Sequence, residues 1–568
     1  MATIRRRHGN REYTTHLLRQ SFREQGKVRH RTLANLSYLP DPLIELLRQG
    51  LRGGAVGLGE AGPVEVVSST PHGHVAAVAA FARTLGLPEL LGPPGRDRDL
   101  AFALIVARVI RPGSKAATSR WWGRTTLGPD LGVERADPDD CYGAMDWLLQ
   151  RQDDIETALG TRHLGEGGFV YYDVSSSYLE GRHCELGARG YPRDPGGGGK
   201  LQIVYGLVCD RAGRPVAIRA HTGNTADPST LQTAVEAIKE RFGVADAVLV
   251  GDRGMITEAR IEALREVGGI GWISALRAPA IRSLVQAGAF QPSLFDEVNL
   301  AELTHPDYPG ERLVCCRNPA LGTDRARKRS ELLAATEAAL AKVVASVQAG
   351  RLRRPEKIGI RVGRILNRHK MGKHFSVEIA EGSFLYTRKA HAIAAEAALD
   401  GIYVIRTSVP AERLSAAEVV TAYKDLAHVE QAFRSIKTVD LQVRPVHHRL
   451  ADRVRAHLLI CLLAYYVAWH LKRAWAPLTF KDEDPPDRTD PVAKADRSAA
   501  ATAKARTGRT AEGLAAHSFG EIIEILAELP RNVVRVGGAV EVEVLTTPTE
   551  MQRRAFQLLG FALPQRCA

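Results

Sequence analysis

The sequence predicts an α/β layered protein, and three observations carry that prediction. From Gly167 the chain turns to β-rich runs, Phe169–Ser175, Leu201–Cys209 and Pro215–His221, followed in alternation by helix, strand, helix and strand. That is the order of a sheet covered by helices. Ahead of it, residues 73–160 have the apolar spacing of helices instead. Behind it, a stretch rich in Ala, Glu, Lys and Arg separates these strands from one further β-branched run, Gly401–Thr407, as an insertion would. The 568 residues are 45% hydrophobic and 25% charged, a globular composition long enough for several domains. A formal net charge of +13 directs attention to polyanions, nucleic acid first.

Residues 1–72 form a basic N-terminal region. Residues 1–31 carry nine Lys and Arg against Glu12 and Glu24. Tyr13–Phe22 and Lys27–Leu36 read as extended segments joined at Gln25-Gly26, a hairpin with its charges outward. Asp41-Pro42 opens a short helix, Leu43–Leu51. A helical domain, 73–165, follows, with helices expected over Val75–Leu85, Leu100–Ile110 and Tyr142–Leu159. Within it RPGSKAATSRWW (111–122) suits phosphate contact with base stacking, and equally a buried pair of tryptophans.

The α/β part begins over 166–279. Asp227 and Pro228 read as N-cap and first helical residue of a helix Ser229–Phe242. Strand Ala247–Val250, helix Met255–Val267 and strand Gly271–Leu276 come next. Residues 280–400 read as an inserted subdomain mixing a charged helix, Arg325–Ala349, with strands His374–Ile379 and Gly382–Arg388. Over 401–475 the α/β part resumes. Ser415 and Glu418 form a capping box stapled by Leu414 and Val419, opening a helix expected to reach about Lys437, and a more apolar helix spans 450–473. Residues 476–515, polar and low in complexity over Lys481–Thr510, read as a mobile linker. The last region, 516–568, is expected to hold a helix Phe519–Leu529, two short strands and a closing helix.

Several function classes drop out. No run of 18 apolar residues exists; Leu458–Ala468 is flanked by Arg455, His457 and His470, so no membrane span is expected. The start carries arginines without an apolar stretch behind them, unlike a secretory signal. The seven cysteines are scattered with no CxxC pair, which argues against a zinc knuckle or a disulfide framework and for a reducing cytoplasm. Cys315 and Cys316 read as small buried hydrophobes. Gly196–Gly199 with Lys200 lacks the spacing of a phosphate loop. His447, His448 and His457 lack the spacing of a metal site and read as polar residues flanking a helix, with a possible phosphate contact alongside Arg444 and Arg449.

Three acids stand out. Asp173 lies mid-strand in FVYYDVSSSY, where a carboxylate is costly without a compensating cation. Asp252 follows the strand AVLVG, at the carboxyl end where α/β sheets collect ligands. Glu430 lies on the helix after the insertion, seven residues from both Tyr423 and Lys437, so all three share one face, as does Arg434. Taken singly, each acid is ordinary: a hydrogen-bonded strand aspartate, a turn former, half of an i,i+4 salt bridge. Their joint occurrence in this strand and helix context is what matters.

That arrangement resembles the DDE transposases of bacterial insertion sequences, built on a ribonuclease H-like fold. It is most similar to the branch whose third acid lies in a Y-x2-R-x3-E-x6-K signature preceded by a β-rich insertion. Here the signature reads Tyr423-Lys424-Asp425-Leu426-Ala427-His428-Val429-Glu430, then six residues to Lys437. Leu426 stands where the signature has arginine, with Lys424 or Arg434 as candidates to replace it. GNTADPSTL (Gly223–Leu231), GDRGM (Gly251–Met255) and, less specifically, GKVRHRTLANL add to the likeness, which covers about 165–450. It implies a ribonuclease H-like catalytic domain interrupted by the insertion, with Asp173, Asp252 and Glu430 holding two Mg²⁺ ions, Mn²⁺ substituting. It also implies DNA contacts from Tyr423, Lys437, Arg434 and Arg253, and double-stranded DNA, both terminal inverted repeats and target, as the partner. A homodimer on DNA and a cytoplasmic, nucleoid-associated location follow. Other readings of the same residues are a different ribonuclease H-like nuclease, such as a junction resolvase, and a catalytically decayed DNA-binding repressor.

Overall fold

The computed structural model describes the chain except residues 9–10, 25–26, 40–42, 45–46, 49–50, 52–63, 182, 195–197, 290–294, 296–298, 489, 537–539 and 567–568. The turn at Gln25-Gly26, the helix start at Asp41-Pro42 and the first half of the glycine run at 196–199 therefore lie outside the described residues. The chain divides into two compact units.

One unit comprises Met1–Ala144, His470–Phe480 and Gly508–Ala568. Strands Ala2–His8, Arg11–Glu24 and Lys27–Asn35 pair antiparallel in sequence order, so the basic start is a meander. Strand Val64–Pro71 pairs with Pro530–Val536, which in turn pairs with Val540–Leu545. Helices Gly73–Thr84 and Arg96–Ile110 form the helical core expected there. The expected helix Tyr142–Leu159 is two helices, Pro138–Leu149 and Gln152–His163, the second falling in the other unit. Trp122 is fully buried and Trp121 nearly so, its ring edge-on to His74, so neither is available to stack on a base.

The other unit comprises Met145–Trp469 and Lys481–Thr507. Its framework is one eight-stranded mixed sheet. In chain order its strands are β1 (Gly168–Tyr178), β2 (Gln202–Cys209), β3 (Pro215–Thr222), β4 (Ala247–Val250), β5 (Ile270–Ala275), β6 (Leu300–Leu303), β7 (Arg312–Arg317) and β8 (Ile402–Thr407). The spatial order is β6-β7-β8-β5-β4-β1-β2-β3. β1, β4 and β5 are mutually parallel, and the remaining pairings are antiparallel.

Successive strand residues face opposite sides of a sheet, and two adjacent tyrosines of β1 show what covers each side. The buried Tyr171 hydroxyl donates to the Ala422 carbonyl (3.0 Å), on helix Ala416–Asp425. The Tyr172 hydroxyl donates to the Thr230 carbonyl (3.2 Å), on helix Asp227–Glu236. Gly206 on β2 makes room for Tyr172: a Cβ there would lie 2.2 Å from its hydroxyl. Asp173, two residues after Tyr171, shares the face of helix Ala416–Asp425.

Several expectations are corrected. Helix Asp227–Glu236 starts at Asp227 with Ala226 as N-cap, and continues as a π turn over Ala237–Arg241. The capping box at Ser415 and Glu418 is present, but the helix it opens ends at Asp425. Helix Ala427–Arg434 follows, then a π turn, Ser435–Val439. The stretch 280–400, expected to be a β-rich insertion, contributes β6 and β7 to the main sheet. Between β7 and β8 it consists of helices Pro319–Gln348 and Pro355–His369, one hairpin (Phe375–Ala380 with Ser383–Arg388) and helix Ala390–Ala397. It has its own apolar core around Leu340, Val343, Ile358, Val362 and Phe375.

Composition also misled over the segment read as a linker. It carries helix Ala499–Thr507 and buries Val492. The Lys424 ammonium donates to the carbonyls of Pro491, Val492 and Ala493 (2.5, 2.7 and 2.8 Å), and Asn299 donates to Asp490 (3.0 Å). Helix Ala451–Ala474 is long and apolar enough to cross a membrane, yet 83% of its apolar window is buried inside the protein, as in a core helix.

Candidate active site

The register of β1 and β4 places the first two acids. Tyr171 of β1 pairs with Val250 of β4 in the parallel ladder. Asp173 lies two residues further along β1, and Asp252 two residues beyond Val250, just past the end of β4. The Val174 amide donates to the Asp173 carboxylate (2.7 Å) and the Arg253 amide to the Asp252 carboxylate (2.7 Å). The Met255 amide closes the turn on the Asp252 carbonyl (2.9 Å). Glu430 comes from helix Ala427–Arg434, which packs against β1 through its buried residues Val429, Ala432 and Phe433.

Electrostatics ties the three together. Burial pushes the Asp173 carboxyl up to about 7, and the negative charges of Asp252 and Glu430 push the same way. The Val174 amide and the Arg193 guanidinium pull it back. Tyr423 is held at about 12 by burial, with Asp252 and Glu430 adding to the rise and Arg253 opposing it. Asp173, Asp252, Glu430, Tyr423 and Arg253 therefore share one electrostatic neighbourhood. Among the described residues none of the three acids has an ion-pair partner. Among the described residues, too, no three His, Cys, Asp or Glu side chains already stand close enough to hold a metal ion.

The other residues singled out from sequence are placed less simply. Lys437 falls in the π turn, where its ammonium pairs with Asp194 (2.5 Å) and donates to the Ser175 hydroxyl (3.0 Å) on β1. Arg444 pairs with the same Asp194 oxygen (2.7 Å). Burial lowers the Lys437 pKa and Asp194 opposes the shift. Arg253 and Arg434 are exposed, and no ion pair among the described residues ties Arg434 to the acids. Leu426 is buried. Lys424 does not take over the missing arginine's place, because its ammonium is spent on the three carbonyls at 491–493.

Sequence reasoning missed Arg193 and Asp194. Both lie in the connection from β1 to β2, where no periodicity marks them. Arg193 pairs with Asp227 at the start of its helix and is the cation felt by Asp173. The available signal was the charged set Arg189, Arg193 and Asp194 in ARGYPRD (188–194), in the connection that follows a strand already carrying a costly acid. A cleft of about 650 Å³ lined by Glu302, His305, Tyr308, Arg312 and Glu412 contains none of the three acids. It is a groove at the β6–β7 edge of the sheet.

Two family models match the chain. One, described as a transposase DDE domain, matches residues 188–467, and the other, an IS1634 family transposase N-terminal domain, matches residues 1–59. The chain belongs to the insertion-sequence DDE transposases. The DDE-domain match includes Asp252 and Glu430 of this transposase and begins after Asp173. No curated protein matches the transposase.

Proposed function

We propose that this transposase cuts and joins DNA at the ends of its own insertion sequence, using Asp173, Asp252 and Glu430 as one metal-holding site on a ribonuclease H-like core. The observation that supports the proposal is that Asp173 feels the charges of both Asp252 and Glu430, while none of the three has an ion-pair partner among the described residues. Asp173 is half-buried and Asp252 and Glu430 are exposed, and like charges held near one another are eased when a cation joins them. The donor set fits a divalent ion: three hard carboxylate oxygens, two of them from neighbouring strands. The arrangement β3-β2-β1-β4-β5, two antiparallel strands followed by three parallel ones, supports the ribonuclease H-like reading.

Two bound Mg²⁺ ions, or Mn²⁺, would supply activation of a water or DNA 3′-hydroxyl and charge stabilisation at the leaving oxygen of an in-line displacement. The chain's own residues do the rest. The Val174 and Arg253 amides fix the rotamers of Asp173 and Asp252, leaving their outer oxygens for the ions. Tyr423, in the same neighbourhood, orients the DNA end, and Arg253 and Arg434, both exposed, meet phosphates. Lys437 neutralises the phosphate beside the cut, sharing its charge between DNA and Asp194. The basic N-terminal meander contacts the terminal repeats, and two copies pair the two ends.

The test is cleavage of a DNA duplex carrying the element's terminal repeats, in Mg²⁺ and in Mn²⁺. Wild type is expected to release the flanking strand. Asp173→Asn, Asp252→Asn and Glu430→Gln are each expected to bind the duplex and leave it whole; full cleavage by any of them overturns the proposal. Leu426 in the arginine position, with Lys424 already engaged, favours a second reading as a DNA-binding repressor. Tight binding by wild type without cleavage in either metal would select it.

A further inference from the structure

Resting on the reading as a DNA transposase, we infer that one face of helix Pro355–His369 in the insertion is a second, sequence-independent contact for the duplex backbone. Residues 351–374 carry nine Lys and Arg against a single acid, Glu356. Lys357, Arg361, Arg364 and Arg368 recur at intervals of four, three and four. At 100° per residue they fall within an arc of about 60° on one face. All four are exposed, and none has an ion pair or side-chain hydrogen bond among the described residues.

The same helix is fixed by its neighbouring face. Ile358 and Val362, one residue along from two of the cations, are buried in the insertion's core, with Ile365 and Leu366 packed against it. The stripe is thus a rigid row about 16 Å long. Several other cations of this subdomain, by contrast, have partners. Arg327 pairs with Asp324 and Glu331, Arg329 with Asp400, Lys373 with Glu396 and Arg388 with Glu337. A row of fixed, unpaired cations complements a stiff and regularly spaced polyanion, which is what duplex DNA offers along its backbone. With no acid along the row and no sequence-reading geometry required, the contact is to phosphates, and its free energy comes from counterion release.

The experiment compares wild type with the variant carrying Lys357→Gln, Arg361→Gln, Arg364→Gln and Arg368→Gln. Binding to a duplex of unrelated sequence is measured from 50 to 200 mM KCl with EDTA present, so that no cleavage intervenes. Each lost phosphate contact lowers the slope of log K against log salt by about 0.9, so the four together reduce it by about 3.6. A control variant, Arg327→Gln with Arg388→Gln, removes cations that already have partners and should leave the slope nearly unchanged. A slope changed by less than about 1 in the fourfold variant overturns the inference. Because the residues are exposed, its unfolding midpoint should match wild type; if it does not, the four single variants are read one at a time. Wild-type protein that binds no duplex at all would instead defeat the transposase reading.

Discussion

Glu156 and Asp173 are acids in the same unit, both pressed by burial, and they are treated in opposite ways. Glu156 is fully buried and fully answered. Its carboxylate accepts from Gln152 (2.7 Å) and the Ile218 amide (3.1 Å), and pairs with Arg219 (2.7 Å) and Arg241 (3.2 Å). Asp173 receives one amide, feels Arg193 only at a distance, and is raised further by the charges of Asp252 and Glu430. A structural acid is completed by its own protein. An acid left with like charges around it is what the proposed metal site requires.

The largest consequence is chemical. Removing one charge from the acid cluster by Asp252→Asn should lower strand cleavage by about 10³-fold or more, the size of loss seen when a preorganised charge-stabilising group is removed. Its unfolding midpoint should not fall, because a repulsion has been relieved. A cleavage-dead variant that is also markedly unstable would blur the contrast with Glu156.

Glu156→Ala should do the reverse. It leaves Arg219 and Arg241 without their buried partner, and denaturant unfolding should show a loss of about 3–5 kcal/mol. Activity per folded molecule should survive.

The pH dependence of stability sharpens the comparison further. Asp173 titrates near 7 in the folded chain and near 3.8 when unexposed to these neighbours. The folded state therefore binds a proton that the unfolded chain does not, between those values. In EDTA, stability should rise as pH falls from about 7 towards 4, by an amount on the order of a few kcal/mol at most. Asp173→Asn should flatten that rise; an equal rise in the variant would show that other groups produce it.

The smallest effect concerns the segment 481–507. Lys424→Met removes the ammonium that ties the carbonyls at 491–493 to helix Ala416–Asp425. Amide exchange in 490–507 should quicken while the central strands stay protected, at a cost of about 1–3 kcal/mol. Unchanged exchange would mean that Val492 and Asp490 alone hold the segment.

What the sequence made legible was local. The Ser415–Glu418 capping box, the β-rich runs around Asp173 and the position of Asp252 at a strand's end are written in adjacent residues, and they are there in the structure. What stayed hidden depends on distant partners. The alanine-, lysine- and aspartate-rich stretch at 481–510 looks like a linker until Lys424 and Asn299 meet it. The interrupted helix between Ala416 and Val439 has unbroken helix-forming residues, and its π turn moves Lys437 off the simple seven-residue face. Arg111–Trp122 offered cations and aromatics, but their apolar surroundings decided for burial. Arg193 has no periodic or motif signal, because only the fold brings the β1–β2 connection beside Asp173.

The central claim is that three carboxylates from β1, the end of β4 and helix Ala427–Arg434 act as one divalent-ion site. Titration of the full chain with Mn²⁺, followed by the loss of the free-ion signal in electron paramagnetic resonance, tests it without any DNA. Wild type should take up the ion, and Asp173→Asn, Asp252→Asn and Glu430→Gln should each weaken uptake by about tenfold or more, roughly 1.4 kcal/mol. Uptake by all three variants equal to that of wild type would contradict it.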